Sequence, residues 1–513
     1  MGNIPEIRDD HGVKTLFVKD RPFLVRGGEL HNSSSSSLEY MEKNVWPCLK
    51  GLHMNTVVLP VAWETIEPEE GCFDFSIVRG LIDQARREKM HLVILWFGLW
   101  KNSESNYVPA WVKQDTDKYF RVRDAWHKPL NIISPLCEAA VAADARAFAR
   151  LMAYIYEVDA QENTVIFVQI ENEMGILGAM RDYSQAGETG YGAQVPDAVS
   201  REFHVSGTWE QAFGGDGPEY FMAWSYGQAV EKIAQAGKAE YPLPFYVNAW
   251  LWQYPFRPGT YPCGGPVMKV SRIWRLAAPS LFCLAPDIYV PDTADVIDEY
   301  ADAGNPLFIP EIRKDPSCAS FVFFAFGRHN AIGISPFGIE DLQADPETLD
   351  KIPFEVLMLL NIDGTAMDGT GTAPYLAKSY EIMENMESIY MKYRNTAHLQ
   401  SFIKRNENDL GTYLHFEKYD VLVGYDRKEA HHPVAAGMII ELDQDEFLCI
   451  GTHYKFTFYP KGSERAAAQI LSAEEGHFEN SQWKRGRVLN GDERQRIVIG
   501  DMPEVKKVRV YQL

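Results

Sequence analysis

Cysteine is scarce in this chain. Seven are scattered over 513 residues, odd in number and without a CxxC pair. That excludes a disulfide framework and fits reduced, buried thiols and a cytoplasmic address. Metal-ligand spacing is equally thin: His431-His432 stands beside Pro433 with no second ligand pair nearby and reads as a loop feature, so zinc is not expected. No run approaches the roughly 18 apolar residues of a membrane-spanning helix. The opening MGNIPEIRDD has neither a basic n-region nor an apolar h-region, so no secretory signal is expected. Basic residues are outnumbered, 50 Lys+Arg against 71 Asp+Glu, for a net charge of −21. Such a surface repels nucleic acid and anionic membranes and suits a neutral small-molecule substrate. Internal repeats and low-complexity linkers are absent too.

What is present is alternation. Short, continuously apolar runs read as strands: Pro22–Gly28, Asn55–Trp63, His91–Gly98, Val165–Glu173, Pro244–Trp250, Phe282–Val290, Pro306–Glu311 and Ile332–Gly338. Helical patterns lie between them, at Leu38–Leu52, Ser76–Met90, Glu138–Val158, Glu219–Lys238, Val267–Ala278, Thr293–Ala303 and Cys318–His329, and Leu376–Asn395 follows as a long amphipathic helix. Continuous rather than alternating apolarity marks parallel strands covered on both faces. Eight strand–helix pairs predict an α/β fold, a (β/α)8 barrel over residues 1–398 with a short N-terminal β extension. A dinucleotide fold is disfavoured, because RGGELHN after the first strand lacks GxGxxG spacing. Beyond Leu399 the apolar period falls to two, which predicts an antiparallel β-sandwich over 399–513. Ser36 and Glu39 have capping-box spacing for the first helix. The Gly- and Ser-rich stretch Ile176–Pro218 is too long for an ordinary connection and is expected to shape one side of the barrel mouth.

The active site of such a barrel lies at the C-terminal ends of its strands. Phe167–Gly175, FVQIENEMG, ends strand four on Glu173, and LFIPEIR ends strand seven on Glu311. Closing the sheet brings these two strands to face each other across the mouth. Two carboxylates there suit glycoside hydrolysis, one protonating the leaving oxygen and one acting as nucleophile or base. Ion pairing of Glu311 with the nearby Arg313 or Lys314 is the competing reading. Glu29 and His31 at the end of strand one are candidate contacts for sugar hydroxyls. Trp63, Trp100, Trp250 and Trp252 are candidate stacking platforms, and Glu64 and Asn102 join the substrate-binding set.

Around these residues QIENEMG (Gln169–Gly175) resembles the acid/base motif of the family 35 β-galactosidases, in the clan of retaining barrel glycosidases. The stretch Ala62–Ser76 and the segment VPAWV (Val108–Val112) are also similar to that family, and the later β domain resembles the accessory domain of a bacterial branch. The resemblance implies Glu173 as acid/base, Glu311 as nucleophile, Asn172 as a partner of the hydroxyl next to the reacting carbon, and Tyr289 as a hydrogen-bond partner of the nucleophile. Trp96–Ser105 departs from the family pattern towards family 42, Pro60 replaces a usual Tyr, and the Tyr and Trp that usually follow the nucleophile are missing. The catalytic pair therefore transfers better than the galactose contacts do. The expected activity is a retaining, exo-acting β-glycosidase, first of all a β-galactosidase, without metal or organic cofactor. A transglycosylase or β-glucosidase using the same pair, or a sugar-binding protein without catalysis, are the alternatives. An oligosaccharide or glycoside is the expected partner, and a homo-oligomer stays open.

Overall fold

The computed structural model describes residues 4–513 apart from 302–303, 345–348, 350–352, 428, 463–466 and 496. Eight parallel strands form one sheet: β1 (Val25–Arg26), β2 (Thr56–Ala62), β3 (His91–Lys101), β4 (Val165–Asn172), β5 (Phe245–Trp250), β6 (Leu281–Ile288), β7 (Phe308–Ile312) and β8 (Gly333–Pro336). From β2 to β8 each pairs with its sequence neighbour, and β1 pairs with β8. The ring closes at Glu29, whose backbone bridges both Val58 on β2 and Phe337 after β8. The protein is an α/β barrel. Regular pairing of β1 is only two residues long, although Pro22–Gly28 reads as a strand, because at Gly27 and Gly28 the chain passes directly against β8. A Cβ on Gly28 would come within 2.5 Å of the Ile339 side chain, and one on Gly27 would collide with Ser335.

The continuous apolar strands are buried on both faces, as expected of a covered parallel sheet; every residue of β4 is buried. Inside the barrel, Val25, Val58, Val93, Phe167, Tyr246 and Phe308 form one cluster, which Leu16 and Val18 of the N-terminal antiparallel sheet join. That three-stranded sheet (Glu6–Asp10, Val13–Val18, Arg21–Pro22) thus plugs one end of the barrel. Outside, the helices Glu138–Asp159 and Gly217–Glu240 pack along each other and over the sheet.

Three local readings need correction. The N-cap of the first helix is Ser37, whose hydroxyl accepts from the Tyr40 amide, one residue later than the spacing suggested. Leu376–Asn395 is not one helix: it runs Thr372–Asn385, breaks at Met386, and resumes as Glu387–Tyr393. The stretch after β4 holds three short helices, Gln185–Gly192, Asp197–Phe203 and Trp209–Phe213, the last with a full Thr208/Gln211 capping box. Local caps compensated there for a composition that reads as loop.

From Leu399 the chain forms a six-stranded and a four-stranded antiparallel sheet around a core that includes Phe402, Val421, Phe447, Tyr454 and Val508. The helix Ser317–His329, apolar nearly all round, lies between this domain and the barrel. Ser320 donates to the Val434 carbonyl (2.7 Å) and Ser401 to the Phe323 carbonyl (3.1 Å), which fixes the two units together. All seven cysteines are free. Among the described residues no helix is long and apolar enough to cross a membrane.

Candidate active site

Strand β4 ends in an uncommon backbone path. Glu171 (φ 61°) and Glu173 (φ 45°) are both left-handed on either side of Asn172. A non-glycine residue there costs on the order of 1–3 kcal/mol and persists only where its surroundings over-determine it. They do: the Trp100 amide donates to Glu171 Oε2 (2.6 Å), the Glu173 amide to Asn248 Oδ1 (2.9 Å), and the Ser103 amide to the Glu173 carbonyl (3.1 Å).

Glu173 and Glu311 are both buried, with 7% and 8% of their surface exposed, and belong to one cluster of carboxyls with Glu29 and Asp287. Glu311 sits on β7 in register with Asp287 on β6. The Tyr289 hydroxyl donates to Glu311 Oε1, and Asn102 Nδ2 donates to Glu173 Oε2. Asn248 Nδ2 donates to Asp287 Oδ2 (2.6 Å), so one asparagine holds both the Glu173 backbone and its carboxyl neighbour.

Burial without a full set of cations forces protons onto this cluster. Desolvation, then the charge of Glu311, pushes the Glu173 carboxyl up to about 7. Lys101 and a hydrogen bond from Asp287 oppose that rise. Burial also raises Glu311, but Lys101, Tyr289 and Glu29 all favour its charged form. Glu29 and Asp287 are pushed well above the carboxylate range, by burial first and then by Glu311. Burial thus favours their protonated forms, in which Glu29 faces Glu311 and Asp287 faces Glu173. The arrangement is asymmetric: one carboxyl poised near neutrality, the other surrounded by groups that stabilise its charge.

Ion pairing does not neutralise Glu311. Arg313 binds Asp315 and Asp363, and Lys314 binds Asp341. Of the residues singled out in the sequence, Glu29, Asn102, Glu173, Tyr289 and Glu311 converge. Asn172 lies between the two strained residues, buried, with its side-chain oxygen unpartnered by protein. Trp250 ends β5 opposite Asp287, half-buried, its indole donating to Gln253 (3.2 Å). His31 binds Asp341 (2.8 Å) and reaches Tyr289 only through the ring of Phe337.

Trp63 and Trp100 are not platforms. Both are fully buried: Trp63 donates to Glu67 (2.7 Å) and meets Trp111 edge-on, and Trp100 donates to the Ile133 carbonyl (2.8 Å) against Tyr226. An indole at a strand end turns inward when a buried acceptor is within reach. Glu64 is half exposed and pairs with Lys113 (2.7 Å), outside the cluster. The sequence analysis passed over Lys101 and Asn248. The only signal for them was a polar residue at the end of the apolar strand β3 and one within the apolar strand β5.

Beneath the cluster lies a second carboxyl pair. Asp144, from the helix Glu138–Asp159, accepts from Trp96 Nε1 (2.7 Å) and the Leu99 amide (3.1 Å). Glu171 is pushed well above its usual range by burial and by Asp144, which favours a proton on Glu171 directed at Asp144. Gly98 passes over this pair with no room for a Cβ, which would lie 2.6 Å from both carboxyls.

Residues 15–242 match the family model described as glycosyl hydrolases family 35. That part of the chain is therefore similar to the family 35 glycosyl hydrolases. The matched span includes Glu29, Lys101, Asn102 and Glu173 and stops before β5, so Asn248, Asp287 and Glu311 are placed by the barrel alone. Residues 376–499 match a domain of unknown function, DUF5597. No curated protein matches the chain's sequence. Among solved structures, a β-galactosidase from Bacillus circulans sp. alkalophilus is 13% identical, with a TM-score of 0.44 over 61% of this chain and 50% of its own. One from the psychrophilic Marinomonas ef1 is 10% identical, with a TM-score of 0.46 over 71% and 61%. The catalytic domain of a β-amylase from Paenibacillus polymyxa is 10% identical, with a TM-score of 0.42 over 62% and 94%. The chain spans about half the length of the first of these.

Proposed function

We propose that the protein is a retaining, exo-acting β-glycosidase that releases terminal β-linked galactose. The observation that carries this reading is the pairing of a buried carboxyl poised at about 7, Glu173, with a second buried carboxyl, Glu311, whose charge Tyr289, Lys101 and Glu29 favour. A general acid near the working pH beside a stabilised carboxylate is the division of labour that double displacement needs.

Glu311 attacks the anomeric carbon while protonated Glu173 gives its proton to the departing oxygen. Bond cleavage leaves a glycosyl ester on Glu311 and a carboxylate on Glu173. That carboxylate then takes a proton from water, which attacks the ester and frees the sugar with its configuration kept. Asn172, with an unpartnered buried oxygen, is positioned beside Glu173 to meet a substrate hydroxyl. The choice of galactose rests on the family 35 match and on the resemblance of QIENEMG.

Hydrolysis of a panel of nitrophenyl glycosides by wild type, Glu173→Ala and Glu311→Gly tests this. The β-galactoside alone should be cleaved, each variant should lose at least about 10³-fold in kcat, and azide should rescue Glu311→Gly with inverted product. Cleavage of the β-glucoside instead would overturn the sugar, and an inverted wild-type product would overturn the mechanism.

A further inference from the structure

His432 gained in the fold the partners it lacks in sequence. His453, 21 residues on, and Asp501, at a separation of 69, meet it at the junction of the β domain and the barrel. Asp501 Oδ1 lies 2.7 Å from His432 Nδ1 and 2.9 Å from His453 Nε2. Tyr375, on the barrel-side helix Thr372–Asn385, donates to the other carboxylate oxygen (2.7 Å) and lies 3.1 Å from His432 Nδ1. One ligand atom from each of His432, His453 and Asp501 falls within 4.8 Å of the others.

We propose that His432, His453 and Asp501 bind a divalent transition ion of the zinc class, which ties the C-terminal β domain to the helix carrying Tyr375. Two imidazoles and one carboxylate are the donor set that borderline divalent ions prefer. Ligands in adjacent positions around an ion with bonds of about 2.1 Å stand about 3.0–3.4 Å apart, so each imidazole needs to retreat from Asp501 by only a few tenths of an ångström. The tyrosine supplies the orienting hydrogen bond that metal-bound carboxylates usually have: it occupies Oδ2 and leaves Oδ1 for the ion. His453 is held in place by its backbone, since its amide donates to the Gly500 carbonyl (2.8 Å) and Thr452 Oγ1 donates to the Gly500 carbonyl (3.1 Å). The Asp501 side chain is 42% exposed and that of His432 34%, so an ion has a path in and water can complete its shell. The ligands come from three separate segments, which is why no spacing motif announces them.

The full-length protein, purified without chelator or metal affinity resin, would be assayed for bound metal and, after EDTA stripping, titrated with Zn²⁺ or with Co²⁺ alone. The expected result is one zinc per chain, visible Co²⁺ ligand-field bands that saturate at one equivalent, and a higher unfolding midpoint with Zn²⁺. The His432→Ala/His453→Ala variant should lose all three, and Tyr375→Phe should bind about 10- to 100-fold more weakly. Should the double variant not fold, the wild-type titration still decides. Wild type that takes up no Zn²⁺ or Co²⁺, or a folded double variant that binds as well as wild type, would show the cluster to be a hydrogen-bonded clamp and overturn the proposal.

Discussion

Lys101 shows how far a single residue acts in this barrel. It ends β3 beside Asn172 and its charge lowers the proton affinity of both Glu173 and Glu311. Replacing it with Met removes that effect from both, so both carboxyls should titrate higher. On the roles proposed, Glu173 as acid then stays protonated to higher pH and Glu311 as nucleophile needs higher pH to ionise. Both limbs of the kcat/KM profile on a galactoside should move up by about one pH unit. A profile that keeps its limbs and loses only height would mean that Lys101 contacts substrate rather than tunes the pair. The carboxyl pair below is equally specific. Asp144→Ala leaves the Trp96 indole and the Leu99 amide buried without an acceptor and should cost about 3–5 kcal/mol in urea unfolding. Glu171→Gln keeps a donor towards Asp144 and should cost under about 1.5 kcal/mol. Equal losses would refute the shared proton. Glu173 and Glu311 were legible because carboxylates ending apolar strands are rare. Lys101 and Asn248 were not, because their importance lies in which carboxyls they face.

At the scale of elements, the strands were read to within a few residues, since a sheet covered on both faces leaves an unbroken apolar record. Helix starts and breaks were less legible. Ser36 and Ser37 offer the same hydroxyl one residue apart, and only the backbone at Ser37 is extended enough to cap. The helix Ser317–His329 could be read as buried but not by what. It bridges both units, so Phe323→Ala, which empties space at that junction, should cost about 3–5 kcal/mol. Removing residues 399–513 should expose that helix and give an aggregating product on size exclusion. A monodisperse, active barrel would show the β domain to be dispensable.

For the whole molecule, the excess of acid sets the pH dependence of stability. Glu29, Glu171, Glu173 and Asp287 all bind protons more tightly folded than unfolded. Their contribution is full below about pH 4 and is lost as pH rises through their folded values, to about 7 for Glu173. Carboxyls lowered by partners, such as Asp341, Asp363 and Asp420, lose their contribution on the acid side. Tm at constant ionic strength should therefore be higher near pH 5.5 than at pH 8.5, and the reverse order would contradict the protonated cluster. By itself the sequence determined the barrel, the period-two domain after it and the two glutamates at facing strand ends. These are local: apolar period and strand-end polarity are written along the chain. Only the tertiary structure decided which tryptophans were core, which carboxyls burial pushes towards their protonated forms, that Arg313 and Lys314 are spent elsewhere, and that His432 meets His453 and Asp501. Those depend on burial and on contacts between distant segments, which no stretch of sequence contains.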